Sequence, residues 1–135
     1  MDINFINPHD MAKPRGYSHA VSVSGKRRTI YIGGQNAVDA SGDLVGKGDL
    51  KRQTEHILSN LEKILRDAGG AFDNVVKFNV YIVHGQNPAD GFLAFQQKWG
   101  NKQAFPAVTV VFVAGLGNPE WLVEIEAVAE VKDDN

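Results

Sequence analysis

Apolar and polar positions alternate most regularly near the end of the chain, in residues 123–131. Every odd-numbered position there is apolar, whereas Glu124, Glu126 and Glu130 occupy even-numbered positions. Successive side chains of a β-strand point to opposite faces of its sheet. The pattern therefore predicts a strand with one apolar face and a row of carboxylates on the other.

Other segments also have the patterns of strands. Residues 17–24 alternate and are followed by a turn at 25–28 and a strand at 29–32, which predicts a β-hairpin. Residues 75–83 have apolar side chains on one face and a mixture on the other. Residues 107–114 are almost wholly apolar, which is typical of a strand covered on both faces.

Two segments have the pattern of helices. Apolar residues recur every three or four positions in residues 50–68, which predicts a long helix with one apolar stripe. Asp49 is placed to cap the start of this helix, and Gly69-Gly70 to end it. A shorter helix is predicted at residues 88–99. Three aromatic residues are expected on one side of it: Phe92, Phe95 and Trp99.

The order of these elements is β-β-α-β-α-β-β, which predicts an α+β fold with a mixed sheet and two helices on one face. The chain has 135 residues, which fits a single domain spanning 1–135. Two helices are too few to cover both faces of the sheet. We therefore expect contacts between copies of the chain to cover the second face.

Composition excludes several classes of function. The net charge of -2 gives no electrostatic reason to expect a nucleic acid or an anionic membrane as partner. No apolar run approaches the ~20 residues of a membrane helix, and no secretory signal is visible at Met1, so a cytoplasmic protein is expected. The absence of cysteine excludes thiolate metal sites, and the four histidines have no metal-ligand spacing. We expect no metal and no cofactor.

Several short motifs follow one another in a recognisable order. These are Gly16-Tyr17-Ser18-His19-Ala20, Ile32-Gly33-Gly34-Gln35, Gln53-Thr54, Asn60-Leu61, Asp73-Asn74-Val75-Val76-Lys77, Phe105-Pro106-Ala107 and Val123-Glu124-Ile125-Glu126-Ala127-Val128-Ala129. Together they resemble the motifs of the RidA/YjgF family, the reactive-intermediate deaminases, over residues 14–131. Each motif alone is weak, but their shared order and spacing make the resemblance specific.

The resemblance implies a chorismate-mutase-like subunit that assembles into a homotrimer, with small-molecule pockets between neighbouring subunits. It also implies hydrolysis of enamines or imines, such as 2-aminoacrylate, to 2-oxo acids and ammonia without a cofactor. Matching positions identify Glu126 as the catalytic carboxylate. The substrate-binding residues that the resemblance implies are Tyr17, Gly33, Gly34, Ala107 and Val108.

Val108 departs from the family pattern, in which Phe-Pro-Ala is usually followed by an arginine that holds the substrate carboxylate. A guanidinium forms a bidentate, charge-assisted pair with a carboxylate, and valine does not. The loss of such a partner costs roughly 2–5 kcal/mol of binding. Arg15 and Lys102 are the nearest conceivable replacements, although neither occupies a ligand position of the family.

Each candidate residue has a functional and a structural interpretation, and both stay open. Glu126 is either a pocket carboxylate that orients or deprotonates water, or a solvated carboxylate on an edge strand. Tyr17 either binds a ligand or packs as a half-buried ring. Gly33 and Gly34 either bring backbone N–H groups close to an anion or satisfy a turn.

The sequence therefore supports one leading function and two alternatives. The leading hypothesis is a RidA-like hydrolase in which Glu126 positions water and the substrate is not one of the usual 2-imino acids. The first alternative is a non-catalytic trimeric protein that binds a small molecule. The second alternative is an endoribonuclease, a name that some family members carry. The net charge of -2 argues against it, because a protein that binds RNA usually has a basic surface.

Overall fold

The computed structural model describes residues 1–100, 102 and 104–133. The elements are β1 (Asp2–Ile6), β2 (Ala20–Ser24), β3 (Arg27–Gln35), α1 (Leu50–Asp67), a short 3-10 helix (Phe72–Asn74), β4 (Val75–Val83), α2 (Pro88–Trp99), β5 (Ala107–Val113) and β6 (Val123–Lys132). The predicted order is present from β2 onward, and one further strand precedes it. Within the described residues, no helix is long and apolar enough to cross a membrane.

The main sheet has four strands in the order β3-β6-β4-β5. The strands β4 and β5 are parallel, and the other neighbours are antiparallel. The helix α1 packs on the face that carries the odd-numbered residues of β6, all of which are buried. The alternation predicted for residues 123–131 and the mixed α+β fold are thus confirmed.

The hairpin predicted for residues 17–32 is wrong. The strand β2 pairs with β1 in a separate two-stranded sheet, whereas β3 pairs with β6. The backbone of Met1 lies 3.1 Å from the position that a Cβ on Gly25 would take, so β1 runs directly beside the β2–β3 connection. Alternation identifies a strand but not its partner, and β1 was overlooked because its alternation covers only five residues.

The helix α1 begins and ends where the sequence predicts. A side-chain oxygen of Asp49 accepts a hydrogen bond from the backbone N–H of Arg52 at 3.0 Å, which caps the first turn. At the other end Gly69 has a φ of +86°, and the N–H of Gly70 donates to the carbonyl of Leu65 at 2.8 Å. This bonding satisfies carbonyls of the last turn, and a left-handed glycine makes it possible.

The helix α2 contributes an aromatic cluster to the core. The rings of Phe95 and Trp99 stack at 5.5 Å between centroids, and Phe78 of β4 meets Phe95 edge-on at 5.3 Å. Phe92 lies on the same side of α2 as Phe95, but 45% of it is exposed and it is outside this cluster. Its ring lies 3.1 Å from the position that a Cβ on Gly16 would take.

The strand β5 is not covered within one chain, so the prediction of two covered faces is wrong for the single subunit. It forms the edge of the sheet, and α2 packs against Phe78 of the neighbouring strand. Val110 and Phe112 are 49% and 51% exposed, and Val111, which points to the other face, is 40% exposed. An edge strand with exposed apolar residues on both faces favours association with another chain.

Gln53 is a fully buried polar residue of α1 that connects the helix to two loops. Its side-chain N–H groups donate to the carbonyls of Gly46 and Glu120, each at 3.1 Å, and its oxygen accepts from the N–H of Leu122 at 2.9 Å. These bonds fix the loop that leads into β6. The apolar stripe of the helix does not predict this burial, because Gln53 is a polar residue.

We expect Gln53→Leu to lower the free energy of unfolding by about 2–4 kcal/mol, because three backbone groups lose the partner that the buried Gln53 side chain supplies. The matched control is Gln96→Leu in α2, where the side chain is exposed and a change within about 0.5 kcal/mol is expected. Urea unfolding of both variants at equal protein concentration measures the difference. Equal stability of the two variants would contradict the role given to Gln53.

Candidate active-site carboxylate and apolar groove

Glu126 lies on the sheet face that the helices leave open. It pairs in register with Asn79 of β4, and both side chains point to this face. The Asn79 amide donates to Oε1 of Glu126 at 3.0 Å, and the hydroxyl of Tyr81 donates to the same oxygen at 2.5 Å. All three side chains are half-buried. The carboxylate is therefore held in one orientation by two donors from the neighbouring strand.

These hydrogen bonds change the acidity of both titrating groups. The bond from Tyr81, followed by that from Asn79, lowers the pKa of Glu126, and partial desolvation opposes them. The bond to Glu126 raises the pKa of Tyr81, with smaller contributions from desolvation and from the charges of Glu126 and Glu124. The proton thus stays on the phenol and Glu126 stays ionised, which suits a group that accepts hydrogen bonds from water.

A cleft of about 300 Å³ opens beside this carboxylate. Its lining residues are Tyr31, Ile32, Gly33, Lys77, Asn79, Glu126, Ala127 and Val128. Gly33 belongs to a β-bulge. Ile32 and Gln35 of β3 are three residues apart, whereas their partners on β6, Ala127 and Ile125, are only two residues apart. The predicted site residues Gly33 and Glu126 are thus brought together.

Lys77 is a cation in this cleft, and it is neither of the two replacements, Arg15 and Lys102, that the sequence suggests for the missing arginine. Its Nζ donates to the hydroxyl of Thr109 on β5 at 2.6 Å. Lys77 is far from Val108 in sequence and reaches the cleft from β4. The alternation of β4, which places Lys77 on the same face as Asn79 and Tyr81, was the available signal.

Gly34 lies beside Glu124 of β6. A Cβ on Gly34 would lie 2.6 Å from a carboxylate oxygen of Glu124, so glycine leaves the space that this side chain occupies. Gly34 is not among the residues that line the cleft. Ala107 lines neither cavity, and it pairs with Lys77 on one side and with Ser18 on the other.

Tyr17 and Val108 lie together in a groove of about 540 Å³ on the helical face of the sheet. The groove is lined by Gly16, Tyr17, Thr54, Val80, Ile82, Pro88, Ala89, Gly91, Phe92, Phe95, Val108, Val110, Phe112, Val123 and Ile125. Its lining contains no charged residue. The hydroxyl of Thr54 donates to the carbonyl of Leu50, so the phenol of Tyr17 is the main polar group.

The candidate residues of one chain therefore form two separate sites. Val108 pairs with Phe78, whereas Glu126 pairs with Asn79, the next residue of β4. Because neighbouring residues of a strand point to opposite faces, the Val108 and Glu126 side chains lie on opposite sides of the sheet. A single chain does not bring Tyr17 and Val108 into contact with the cleft of Glu126.

The two proposed replacement cations lie in neither cavity. Lys102 forms an ion pair with Asp73 and lies over the ring of Trp99, 5.2 Å from its centroid. Arg15 is exposed and lines neither the groove nor the cleft. Over residues 1–100, 102 and 104–133, no group of three histidine, aspartate or glutamate side chains is arranged to hold a metal ion.

Glu130 differs from the other two carboxylates of β6 because it is only 7% exposed. Its side chain accepts hydrogen bonds from Arg27 at 3.1 Å and from Thr29 at 2.9 Å. Both partners belong to β3. Glu130 therefore joins β3 to β6 and lies outside the cleft.

Comparison with known proteins identifies the family. The model of the family described as endoribonuclease L-PSP matches residues 9–131. The chain belongs to the RidA/YjgF family. The crystal structure of the Rid-family protein YyfB from Yersinia pestis superposes with a TM-score of 0.82 at 39% identity, covering 96% of this chain and 98% of that one.

Two curated relatives in the RidA/YjgF family have named activities. The 2-iminobutanoate/2-iminopropanoate deaminase of Bos taurus is 39% identical over 84% of this chain and 78% of its own length. The 3-aminoacrylate deaminase RutC of Acinetobacter baylyi is 33% identical over 76% of this chain and 79% of its own length. Relatives of this chain thus include deaminases of imines and enamines.

Proposed function

We propose that this RidA-family protein hydrolyses an imine or enamine to a carbonyl compound and ammonia without a cofactor, and that Glu126 positions the attacking water. The observation that carries the proposal is the ionised carboxylate held by Asn79 and Tyr81 at the edge of a cleft. The named activities of the bovine and Acinetobacter relatives support the same class of reaction. Water adds to the C=N carbon, and the C–N bond then breaks as ammonia leaves.

The active pocket requires more than one copy of the chain. Tyr17 and Val108 lie on one face of the sheet and Gly33 and Glu126 on the other, so one pocket that contains all four must use two subunits. The exposed apolar residues of β5 supply a surface for this contact. We propose a homotrimer, as the family resemblance implies, with small-molecule pockets between its subunits.

We expect a particle of three chains in solution, because association covers the edge and both faces of β5. Light scattering coupled to size-exclusion chromatography at micromolar concentration measures the mass. A monomer of 14.7 kDa would contradict both the assembly and a pocket shared between subunits. Val110→Lys tests the surface, since a charge on β5 should weaken the assembly, whereas Lys51→Glu on the polar face of α1 should not.

The substrate is proposed to differ from the usual 2-imino acids of the family. The groove that contains Val108 offers no cation to a carboxylate, and its lining is apolar. A substrate whose reacting carbon carries an uncharged substituent suits this surface, because apolar contact replaces the missing ion pair. Within one subunit, Lys77 lies on the face opposite Val108 and does not occupy the position of the absent guanidinium.

We expect Glu126→Gln to abolish turnover of any imine that the parent hydrolyses, because the amide cannot accept a proton from water. Its amide oxygen can still accept the bonds from Asn79 and Tyr81, so the melting temperature should stay close to the parent's. Glu124→Gln should retain activity. Coupled assays that generate imines in place and follow carbonyl release measure these effects, and equal activity in both variants would contradict a role for Glu126.

Glu130→Gln completes the comparison of the three carboxylates. It should lower the free energy of unfolding by about 1–3 kcal/mol, because the charge-assisted bond to Arg27 is weakened in a buried position. Its folded fraction should keep the parent's turnover. We thus expect Glu126 to be required for turnover, Glu130 for stability and Glu124 for neither.

We expect Val108→Arg to bind small 2-oxo carboxylates that the parent does not bind. A guanidinium in the groove offers paired donors to a carboxylate, but without ligand its burial lowers stability by about 1–3 kcal/mol. The melting temperature of the variant should therefore lie below the parent's and rise with added 2-oxobutyrate. A variant as stable as the parent and unresponsive to 2-oxobutyrate would show that residue 108 is outside the ligand site.

A non-catalytic binding protein is the second candidate function, and the apolar groove is the observation that favours it. In that case the parent protein would bind uncharged ligands in the groove, and imine hydrolysis would stay at the buffer rate in the parent and in Glu126→Gln alike. The same coupled assay, run over imines with charged and uncharged substituents, separates the two functions.

A further inference from the structure

Ser18, the residue that follows Tyr17, has a polar side chain but is only 3% exposed. Its hydroxyl donates to the carbonyl of Phe105 at 2.6 Å, and its backbone N–H donates to the carbonyl of Pro106 at 2.9 Å. It also forms a parallel bridge with Ala107, the first residue of β5. The backbone next to Tyr17 is thus bonded to the segment that leads into β5.

The residue that follows β1 supports the same connection. Oδ1 of Asn7 accepts a hydrogen bond from the backbone N–H of His19 at 2.7 Å, and Nδ2 of Asn7 donates to the hydroxyl of Ser18 at 3.4 Å. Nε2 of His19 donates to the carbonyl of Ala12 at 2.9 Å. The hydroxyl of Ser18 therefore donates to one segment and accepts from another, so it joins the end of β1 to the start of β5.

Tyr17 itself is held by its neighbours, whereas its hydroxyl is not. Its ring meets the ring of His19 edge-on, with 5.7 Å between the centroids. Gly16, on its other side in sequence, has a φ of +77° and lies against the ring of Phe92. Within residues 1–100, 102 and 104–133, the hydroxyl of Tyr17 forms no hydrogen bond. Tyr17 thus has a fixed backbone and a polar group that is left for a ligand.

We propose that Ser18 is a positioning residue that holds the phenol of Tyr17 at the groove, where its hydroxyl binds an uncharged polar group of the ligand. Ser18 and Ala107 are bonded to each other and are the direct neighbours of Tyr17 and Val108, which both line the groove. A group that is held in place before binding loses less conformational entropy when the ligand arrives, and this increases affinity. The inference rests on the proposed function, because the ligand must occupy the groove, but not on the residue that positions water.

The first experiment replaces tyrosine by 3-fluorotyrosine in the intact protein and records the fluorine-19 NMR signals without ligand. The chain has three tyrosines, and the signal of Tyr17 is assigned by its loss in Tyr17→Phe. We expect Ser18→Ala to move the Tyr17 signal toward the position of free fluorotyrosine, because the ring is no longer held in one environment. The signals of Tyr31 and Tyr81, which lie on β3 and β4, should keep their positions.

Two further variants make this comparison specific. Asn7→Ala changes an exposed residue that bonds both Ser18 and His19, so the variant should fold and move the Tyr17 signal in the same direction by less. Thr29→Val is the matched control, because it also removes a hydroxyl that forms a hydrogen bond, here to Glu130, and it lies outside the groove. It should lower stability and leave the Tyr17 signal unchanged.

The second experiment is a double-mutant cycle in which the substrate is the imine that a flavin amine oxidase forms from benzylamine. This imine carries an uncharged phenyl group, which suits an apolar groove. We expect KM to rise about fivefold in Ser18→Ala while kcat changes little, because the loss of one hydrogen bond weakens binding and leaves the chemical step intact. In the Tyr17→Phe background, Ser18→Ala should cause no further rise, because Ser18 acts through a hydroxyl that is already absent.

The outcomes separate this inference from the proposed function. An unchanged Tyr17 signal in Ser18→Ala, or in Asn7→Ala where Ser18→Ala does not fold, would overturn the inference even if the parent is an active hydrolase. Rises in KM that simply add in the double variant would also overturn it, since Ser18 would then act independently of Tyr17. A parent that does not hydrolyse this imine would contradict the proposed function, and the NMR comparison would still decide whether Ser18 positions Tyr17. A displaced Tyr17 signal together with non-additive KM values supports both.

Discussion

The whole arrangement depends on β6, a strand that is hydrogen-bonded on both edges and therefore has two faces of opposite character. Its odd-numbered side chains are buried against α1, and its even-numbered carboxylates remain on the other side. A shift of one residue in its register would bury the carboxylates and expose the core. The apolar face thus holds Glu126 opposite Asn79, and the core determines the position of the candidate chemistry.

This two-faced strand also explains why the candidate site is divided. The residue types that the family brings to one pocket lie on both faces of a single sheet, with an apolar groove at Val108 and a polar cleft at Glu126. The core of a small subunit cannot supply both walls of such a pocket, because the sheet itself stands between them. The association proposed at the exposed apolar edge of β5 would therefore cover that edge and complete the site at once.

Much of the fold could be predicted from local patterns, because each depends on neighbours in sequence. The alternation of residues 123–131 and the Asp49 cap of α1 are of this kind, and the structure confirms both. Strand pairing is not local: nothing in residues 17–32 tells whether β2 pairs with β3 or with an earlier strand. In the site, Glu126 could be identified by its motif, but its bonds to Asn79 and Tyr81 required the register of β4 against β6.

The acidity of Glu126 shows how local bonds and assembly act in opposite directions. In the single chain the donors Tyr81 and Asn79 outweigh partial desolvation, which makes the carboxylate a weak base and a well-placed one. In the proposed assembly, a second subunit would close the cleft, remove water and raise the pKa of Glu126. The two hydrogen bonds limit how far the pKa rises. The proposed assembly would therefore add desolvation by a neighbouring subunit to the orientation that the neighbouring strand already gives Glu126.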